Sequence, residues 1–298
     1  MNLKNVNVKE EYEFYQTAAP LKVAHLKGGD FAYRYYKNPN PKLDVTIICF
    51  AGGSGLADAL CLMFRELGKR YHFVCFNYPK SFTDNDSLAD AVAELIRLEH
   101  LKNVYLVGQS YGGLIAQVIA KKHPELIKGL ILSSTCSLSN DISYQGVKCL
   151  YNMINEQKQQ KNQKMDKMLP SFILVPFMRL AFKKHIPDKD TRRVLLEILD
   201  LIKDQIQGDY MYLMDGLLGD LRNHFGTHTK EDFKKFKNEV LIISPDDDPI
   251  FSPDLKQAMF RLMTEPEVIT DFEGGHLALM ISPDKYFALL DDFLQKRN

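Results

Sequence analysis

The stretch LVGQSYGGLIAQ, residues 106–117, places one serine between two glycines at a change of secondary structure. The residues before the first glycine form an apolar run typical of a strand, and those after the second have the apolar spacing of a helix. Glycine costs backbone entropy in either element, so Gly108 and Gly112 indicate a turn too tight for a side chain. Such a strand–turn–helix lifts the Ser110 hydroxyl to the sheet edge, beside the free N–H groups of the helix. The stretch therefore predicts a nucleophilic serine.

Strand-like and helix-like segments alternate on both sides of this turn. Apolar runs typical of strands lie at 23–26, 31–36, 45–50, 72–78, 103–108, 130–135, 240–244 and 268–272. Helical patterns separate the later runs and lie at 56–70, 87–101, 113–123, 254–264 and 283–294. This alternation predicts an α/β fold with a mostly parallel eight-stranded sheet and helices on both faces. We expect the first two runs to form an antiparallel pair at one edge.

The alternation stops after residue 136 and resumes near residue 238. Residues 137–237 show helical patterns and no strand pattern, and the polar stretch 155–167 within them is typical of a solvated helix. We therefore predict two parts: an α/β core made of residues 1–136 and 238–298, and an inserted helical cap made of residues 137–237.

Two further expectations concern this insertion. Gly216 and Gly219 interrupt the apolar pattern of residues 209–224, so we expect a break in that helix. The insertion also offers apolar side chains as candidate walls of a substrate pocket, although plain helix packing is the commoner role of such residues. These candidates are Leu169, Phe172, Phe177, Met178, Met211, Met214 and Leu217.

Composition excludes several classes of function. The 38 basic residues balance the 38 acidic ones, which removes the electrostatic case for a nucleic-acid partner or an anionic membrane surface. The most apolar stretch, residues 168–182, contains two prolines and is too short to span a bilayer. The five cysteines form no C-x-x-C pair, which indicates reduced thiols. Because residues 1–16 also lack the apolar segment of a secretory signal, we expect a cytoplasmic location.

A serine nucleophile needs a base and an acid that orients the base. Among the eight histidines, His276 alone follows the last strand-like run, in a loop at the sheet edge where Ser110 is expected. The stretch SPDDDPIF, residues 244–251, follows another strand to the same edge. Three consecutive aspartates repel one another unless one is engaged. Ser110, His276 and one of these aspartates therefore form a candidate Ser-His-Asp triad.

The order of these motifs resembles the α/β-hydrolase superfamily, specifically its capped serine hydrolases of the carboxylesterase and lipase type. The matching motifs are the G-x-S-x-G around Ser110 and the Gly-Gly pair before His276. In the family the acid precedes a Pro-Val or Pro-Ile pair. The resemblance therefore implies Asp248 as the acid, with Asp247 as the second choice and Asp246 as the third.

Three loops depart from the family pattern. Residues 51–53, Ala-Gly-Gly, stand where the family often has His-Gly, Pro245 replaces the glycine before the acid, and residues 77–81 differ from the usual loop after the fourth strand. The resemblance still implies an oxyanion hole formed by the backbone N–H groups of Gly53 and Tyr111.

The resemblance implies a serine hydrolase that acts through an acyl-enzyme on a small carboxylic ester or thioester with an apolar acyl or aromatic group. No cofactor, metal or nucleic acid is implied, and we expect a monomer or homodimer acting on a small molecule without stable membrane insertion. The same triad would serve an acyltransferase, a lactonase, a C–C bond hydrolase or a prolyl aminopeptidase. A non-catalytic binding protein on this fold is a further alternative, although such proteins commonly lack a triad member.

Overall fold

The computed structural model describes residues 3–141 and 170–298. Within them one eight-stranded sheet has the strand order β1-β2-β4-β3-β5-β6-β7-β8. The strands are β1 Leu21–Leu26, β2 Gly29–Tyr36, β3 Thr46–Phe50, β4 His72–Cys75, β5 Val104–Gln109, β6 Ile127–Ser133, β7 Val240–Ile243 and β8 Glu267–Ile269. Strand β2 pairs antiparallel with β1 and with β4, and the other neighbours are parallel. The predicted mostly parallel α/β sheet is confirmed.

The central strands are apolar along their whole length because helices cover both faces of a parallel sheet. Every residue of Thr46–Phe50 is buried, and so are all four residues of Val240–Ile243. The helices are α1 Val8–Ala18, α2 Cys61–Gly68, α3 Asn85–Leu98, α4 Tyr111–Lys122, α5 Ser171–His185, α6 Lys189–Ile202, α7 Gly208–Asp220, α8 Pro253–Leu262, α9 Ala278–Ile281 and α10 Pro283–Gln295.

Helix α1 is an element that the sequence patterns did not predict. Its sequence, VKEEYEFYQTA, is mostly polar, and only Val8 and Tyr15 are buried. The helix begins at Asn7, whose side chain accepts a hydrogen bond from the Glu10 N–H. Two buried side chains seven residues apart lie on one face, but they are too few to produce an apolar periodicity. Helix α1 packs against α2 and α6.

Between β6 and β7 the described residues form helices α5, α6 and α7 and no named strand. The predicted break at Gly216 and Gly219 is wrong, since α7 runs unbroken from Gly208 to Asp220. A glycine in a helix costs about 1 kcal/mol, and burial of Met214 and Leu217 on the same helix offsets that cost. The polar stretch 155–167 lies outside the described residues, and the division into a core and a cap of residues 137–237 stays a prediction.

The described cysteines lie in the core. Cys49, Cys61, Cys75 and Cys136 are buried and form no disulfide with one another; Cys149 is outside the described residues. Burial raises the pKa of the Cys75 thiol to about 12, so this thiol stays protonated. Within residues 3–141 and 170–298 there is no helix with the length and hydropathy needed to cross a membrane.

Candidate active site

Ser110 occupies a strained turn between β5 and α4. Its backbone has φ 54° and ψ −123°, a conformation that costs a non-glycine residue about 1–3 kcal/mol. A Cβ on Gly108 would lie 2.2 Å from the Gly112 carbonyl oxygen, and one on Gly112 would lie 2.4 Å from the carbonyl oxygen of Phe50. These neighbours are backbone atoms and cannot give way, so the turn requires both glycines. The Ser110 N–H donates to the Ser133 carbonyl at 3.0 Å, which ties the turn to β6.

His276 lies in the segment of residues 274–277, which we call the histidine loop; it contains a short 3-10 turn, Gly275–Leu277, and depends on two left-handed glycines. Gly274 has φ 114° and Gly275 has φ 55°, and a Cβ on Gly274 would meet the Cα of Ala278 at 2.9 Å. The side chain of Gln109, the residue before Ser110, donates from Nε2 to the His276 carbonyl at 2.6 Å. This bond joins the histidine loop directly to the serine turn, and no pattern in the sequence indicates it.

The three consecutive aspartates have three different environments. The Asp248 side chain is only 1% exposed, and its Oδ2 lies 3.0 Å from His276 Nδ1. Its Oδ1 accepts a hydrogen bond from the Ile250 N–H at 2.9 Å. Asp247 instead accepts from the N–H groups of Gly274, at 3.2 Å, and Gly275, at 2.9 Å.

Asp246 is exposed, and its backbone N–H donates to the Thr270 carbonyl. The structure thus brings Asp248 into contact with the imidazole and uses Asp247 to hold the loop that carries it. A further residue, Lys256, is buried against the loop that carries the three aspartates, residues 245–248. Its Nζ donates to the carbonyls of Pro245, at 2.7 Å, and Asp248, at 3.1 Å. In the sequence Lys256 looked like an ordinary helix lysine.

Ser110 and His276 face one cavity of about 240 Å³, which we call the apolar cavity. In the described part of the chain no hydrogen bond joins the side chains of Ser110 and His276. Gly52 and Gly53 line the same cavity. The remaining wall consists mainly of apolar side chains, including Leu60, Met63, Leu195, Ile198, Met280 and Phe287.

Gly53 lines the same cavity as Ser110, and Tyr111 is the next residue after Ser110 in the chain. Gly53 is in the loop after β3, and a Cβ on it would meet nothing within 4 Å. Tyr111 is the first residue of α4, and its side chain turns away from the cavity to donate from its hydroxyl to Asn85 Oδ1 at 2.8 Å. Among the described residues, neither the Gly53 N–H nor the Tyr111 N–H donates to another backbone group.

Two buried tyrosines hold the loop that contains Gly53. The Tyr78 hydroxyl donates to the Ala51 carbonyl at 2.7 Å, and the Tyr210 hydroxyl donates to the Gly55 carbonyl at 2.7 Å. Burial raises the pKa of Tyr78 well above its ordinary value, so the phenol remains a neutral donor. Gly55 has φ 69°, and a Cβ there would meet Met214 Sδ at 2.3 Å. Helix α7 thus packs directly on this loop.

Most of the candidate pocket walls from the sequence lie elsewhere. Phe172 and Phe177 are 75% and 68% exposed, and Leu169 is outside the described residues. Instead, Leu195 and Ile198 of helix α6 line the apolar cavity. In the described ranges no three His, Cys, Asp or Glu side chains cluster as metal ligands.

The family model for the alpha/beta hydrolase fold matches residues 45–283. The chain belongs to this family. It is 24% identical to monoacylglycerol lipase abhd6-B of Xenopus laevis over 295 residues, which cover 95% of this chain and 85% of the lipase.

One further curated protein and one solved structure are similar to this chain. Ethanol acetyltransferase 1 of Cyberlindnera jadinii is 27% identical over 159 residues, which cover 52% of this chain. The match spans only 43% of that acetyltransferase. A crystal structure of a membrane phospholipase A, described as a bacterial virulence factor, superposes with a TM-score of 0.65 at 18% identity. It covers 99% of this chain and 90% of the phospholipase, and at this identity it supports the fold alone.

Proposed function

We propose that this family member is a serine hydrolase acting on a carboxylic ester or thioester with an apolar acyl or aromatic group. One observation carries the proposal. Ser110, in a strained turn, faces the same apolar cavity as His276, and the buried carboxylate of Asp248 contacts the Nδ1 of that imidazole.

The proposed reaction has two halves that share one set of groups. His276 Nε2 takes the proton of Ser110 as Oγ bonds to the carbonyl carbon, and Asp248 holds the imidazole with its proton on Nδ1. The N–H groups of Gly53 and Tyr111 stabilise the negative oxygen. His276 then protonates the leaving alcohol or thiol as its bond to the acyl carbon breaks. Water, deprotonated by the same imidazole, releases the acid and restores the serine.

The size and lining of the apolar cavity support the substrate class. Its volume is about 240 Å³, whereas an apolar cavity of about 150 Å³ is known to bind benzene. An acyl chain or ring somewhat larger than benzene would fill it. We further propose that residues 137–237 act as a cap, since Leu195 and Ile198 of helix α6 line this cavity.

The similarity to an ethanol acetyltransferase favours a second candidate, acyl transfer to an alcohol. The two reactions share the acyl-enzyme and differ only in the nucleophile that cleaves it. If the protein is a transferase, adding ethanol to the assay will convert most of the acyl product into ethyl ester. If it is a hydrolase, the free acid will remain the main product.

The test is hydrolysis of p-nitrophenyl butyrate and butyryl thioester by the purified chain. We expect turnover by the wild type and loss of nearly all activity in Ser110→Ala. Ser81→Ala, the same change at an exposed serine, is the matched control and should match the wild type. If Ser110→Ala and the wild type hydrolyse these esters equally, or if neither does, the proposal is wrong.

A further inference from the structure

The apolar cavity has a neighbour on the outside of the molecule, which we call the outer groove. The outer groove has a volume of about 490 Å³ and is more open than the cavity. The two spaces share Leu3 and Pro283 in their linings, and no other residue. Ser110 and His276 line the cavity and not the groove, so the reacting atoms lie on the cavity side of the shared wall.

The two spaces differ in chemistry. The apolar cavity is lined mainly by leucine, isoleucine, methionine and phenylalanine side chains. The outer groove is lined largely by charged and polar side chains, among them Lys4, Asp188, Asp190 and Lys285. An acyl chain that extends along the cavity from Ser110 therefore meets a boundary between an apolar and a polar environment.

Leu3 is held firmly at that boundary. It lies in a short 3-10 turn, Leu3–Asn5, and is 8% exposed. The guanidinium of Arg193, on helix α6, donates to the Leu3 carbonyl and, at 3.4 Å, to the Val6 carbonyl. Glu197, one turn further along α6, accepts from the same guanidinium at 2.9 Å. The helix that lines the cavity thus also anchors the turn that closes it.

We propose that Leu3 sets the longest acyl chain that this site accepts. Its side chain fills the wall between the apolar cavity and the outer groove, whereas the ring of Pro283 is part of helix α10 and is fixed by the backbone. Shortening Leu3 would join the two spaces and let a longer chain pass. The inference rests on the proposed acyl-enzyme chemistry at Ser110.

The test is a series of p-nitrophenyl esters from acetyl to palmitoyl, with kcat/KM measured for the wild type, Leu3→Val and Leu3→Ala. We expect the optimum to move to longer chains in the order Leu, Val, Ala. The ratio of long-chain to short-chain kcat/KM should rise about tenfold in Leu3→Ala, which corresponds to roughly two further buried methylenes. Leu98→Ala, the same truncation at a residue that is 54% exposed, should keep the wild-type profile.

The outcomes separate the two proposals. If the wild type hydrolyses no ester of the series, the acyl-enzyme proposal fails and the inference fails with it. If the wild type is active and both Leu3 variants keep its chain-length profile, only the role of Leu3 is refuted. Circular dichroism identifies a misfolded Leu3→Ala, in which case Leu3→Val, which removes a single methylene, decides the question.

Discussion

The three aspartates at residues 246–248 allow one chemical change to be compared at three adjacent positions. Asp248→Asn, Asp247→Asn and Asp246→Asn each remove one charge and keep the shape of the side chain. In the wild type, Asp248 Oδ1 accepts from the Ile250 N–H and Oδ2 faces His276 Nδ1. An asparagine that keeps its oxygen toward Ile250 must turn its NH₂ group toward Nδ1. The imidazole then carries its proton on Nε2 and cannot accept one from serine.

The size of each effect follows from burial. The Asp248 carboxyl is 1% exposed, so water cannot replace it. We expect Asp248→Asn to lower kcat about 10⁴-fold, the loss seen in a protease with the same constellation, or about 5 kcal/mol of transition-state stabilisation. Asp247→Asn loses one of the two hydrogen bonds that Asp247 accepts from the histidine loop. We expect this loss to cost about 1 kcal/mol and to lower kcat by less than tenfold. Asp246→Asn, at an exposed position, should match the wild type.

The assay is kcat and KM for one ester with all three variants, with unfolding curves to check stability. We expect kcat to fall most in Asp248→Asn, slightly in Asp247→Asn and not at all in Asp246→Asn. If Asp247→Asn is as inactive as Asp248→Asn, or if Asp248→Asn loses less than tenfold, the assignment of the acid is refuted.

Two further predictions concern residues outside the triad. Gln109→Ala removes the hydrogen bond to the His276 carbonyl, so kcat should fall about tenfold with KM nearly unchanged. Gln109→Glu has no N–H to donate and should be as slow as Gln109→Ala. Equal kcat in wild type and Gln109→Ala would contradict this role. Burial, together with nearby Lys121, lowers the pKa of His228 from 6.5 to about 3. The unfolded chain then binds a proton that the folded one does not, so stability is lost as the pH falls below 6.5. Between about pH 8 and about pH 5, His228 should lower the free energy of unfolding, measured with urea, by about 2 kcal/mol. His228→Phe lacks this ionisation, so its free energy of unfolding should fall by about 2 kcal/mol less than that of the wild type. Equal decreases in wild type and His228→Phe would contradict the pKa assignment.

The parts of the fold that the sequence predicts are those governed by local patterns. The strands Thr46–Phe50 and Val104–Gln109 are continuous apolar runs because both sides are buried, and this requirement is visible in the sequence. The sequence patterns did not predict helix α1, because its burial depends on contacts with α2 and α6 and no local pattern encodes such contacts. The helix break predicted at Gly216 failed for the same reason, since tertiary packing outweighs the helix propensity of one glycine.

In the candidate site too, the sequence predicts the residues of a local motif and misses those that depend on tertiary contacts. Gly108, Ser110 and Gly112 form a local motif whose geometry is dictated by the turn itself, so the sequence locates it. The separate environments of Asp247 and Asp248 depend on contacts with residues 27 or 28 positions away in the chain, so the sequence could only rank them. Leu3 reaches the cavity only through the fold, and no spacing in the sequence relates it to Ser110.

The most direct test of the account is covalent labelling of Ser110 by a fluorophosphonate, located by mass spectrometry in the wild type, Ser110→Ala and His276→Ala. The account predicts one adduct per wild-type chain on Ser110, none in Ser110→Ala and much slower labelling in His276→Ala, because the imidazole activates the hydroxyl. A smaller sulfonyl fluoride, used in parallel, reaches the serine even if the cap is closed. The absence of an adduct with both reagents, or equal labelling rates in wild type and His276→Ala, would contradict an activated serine nucleophile.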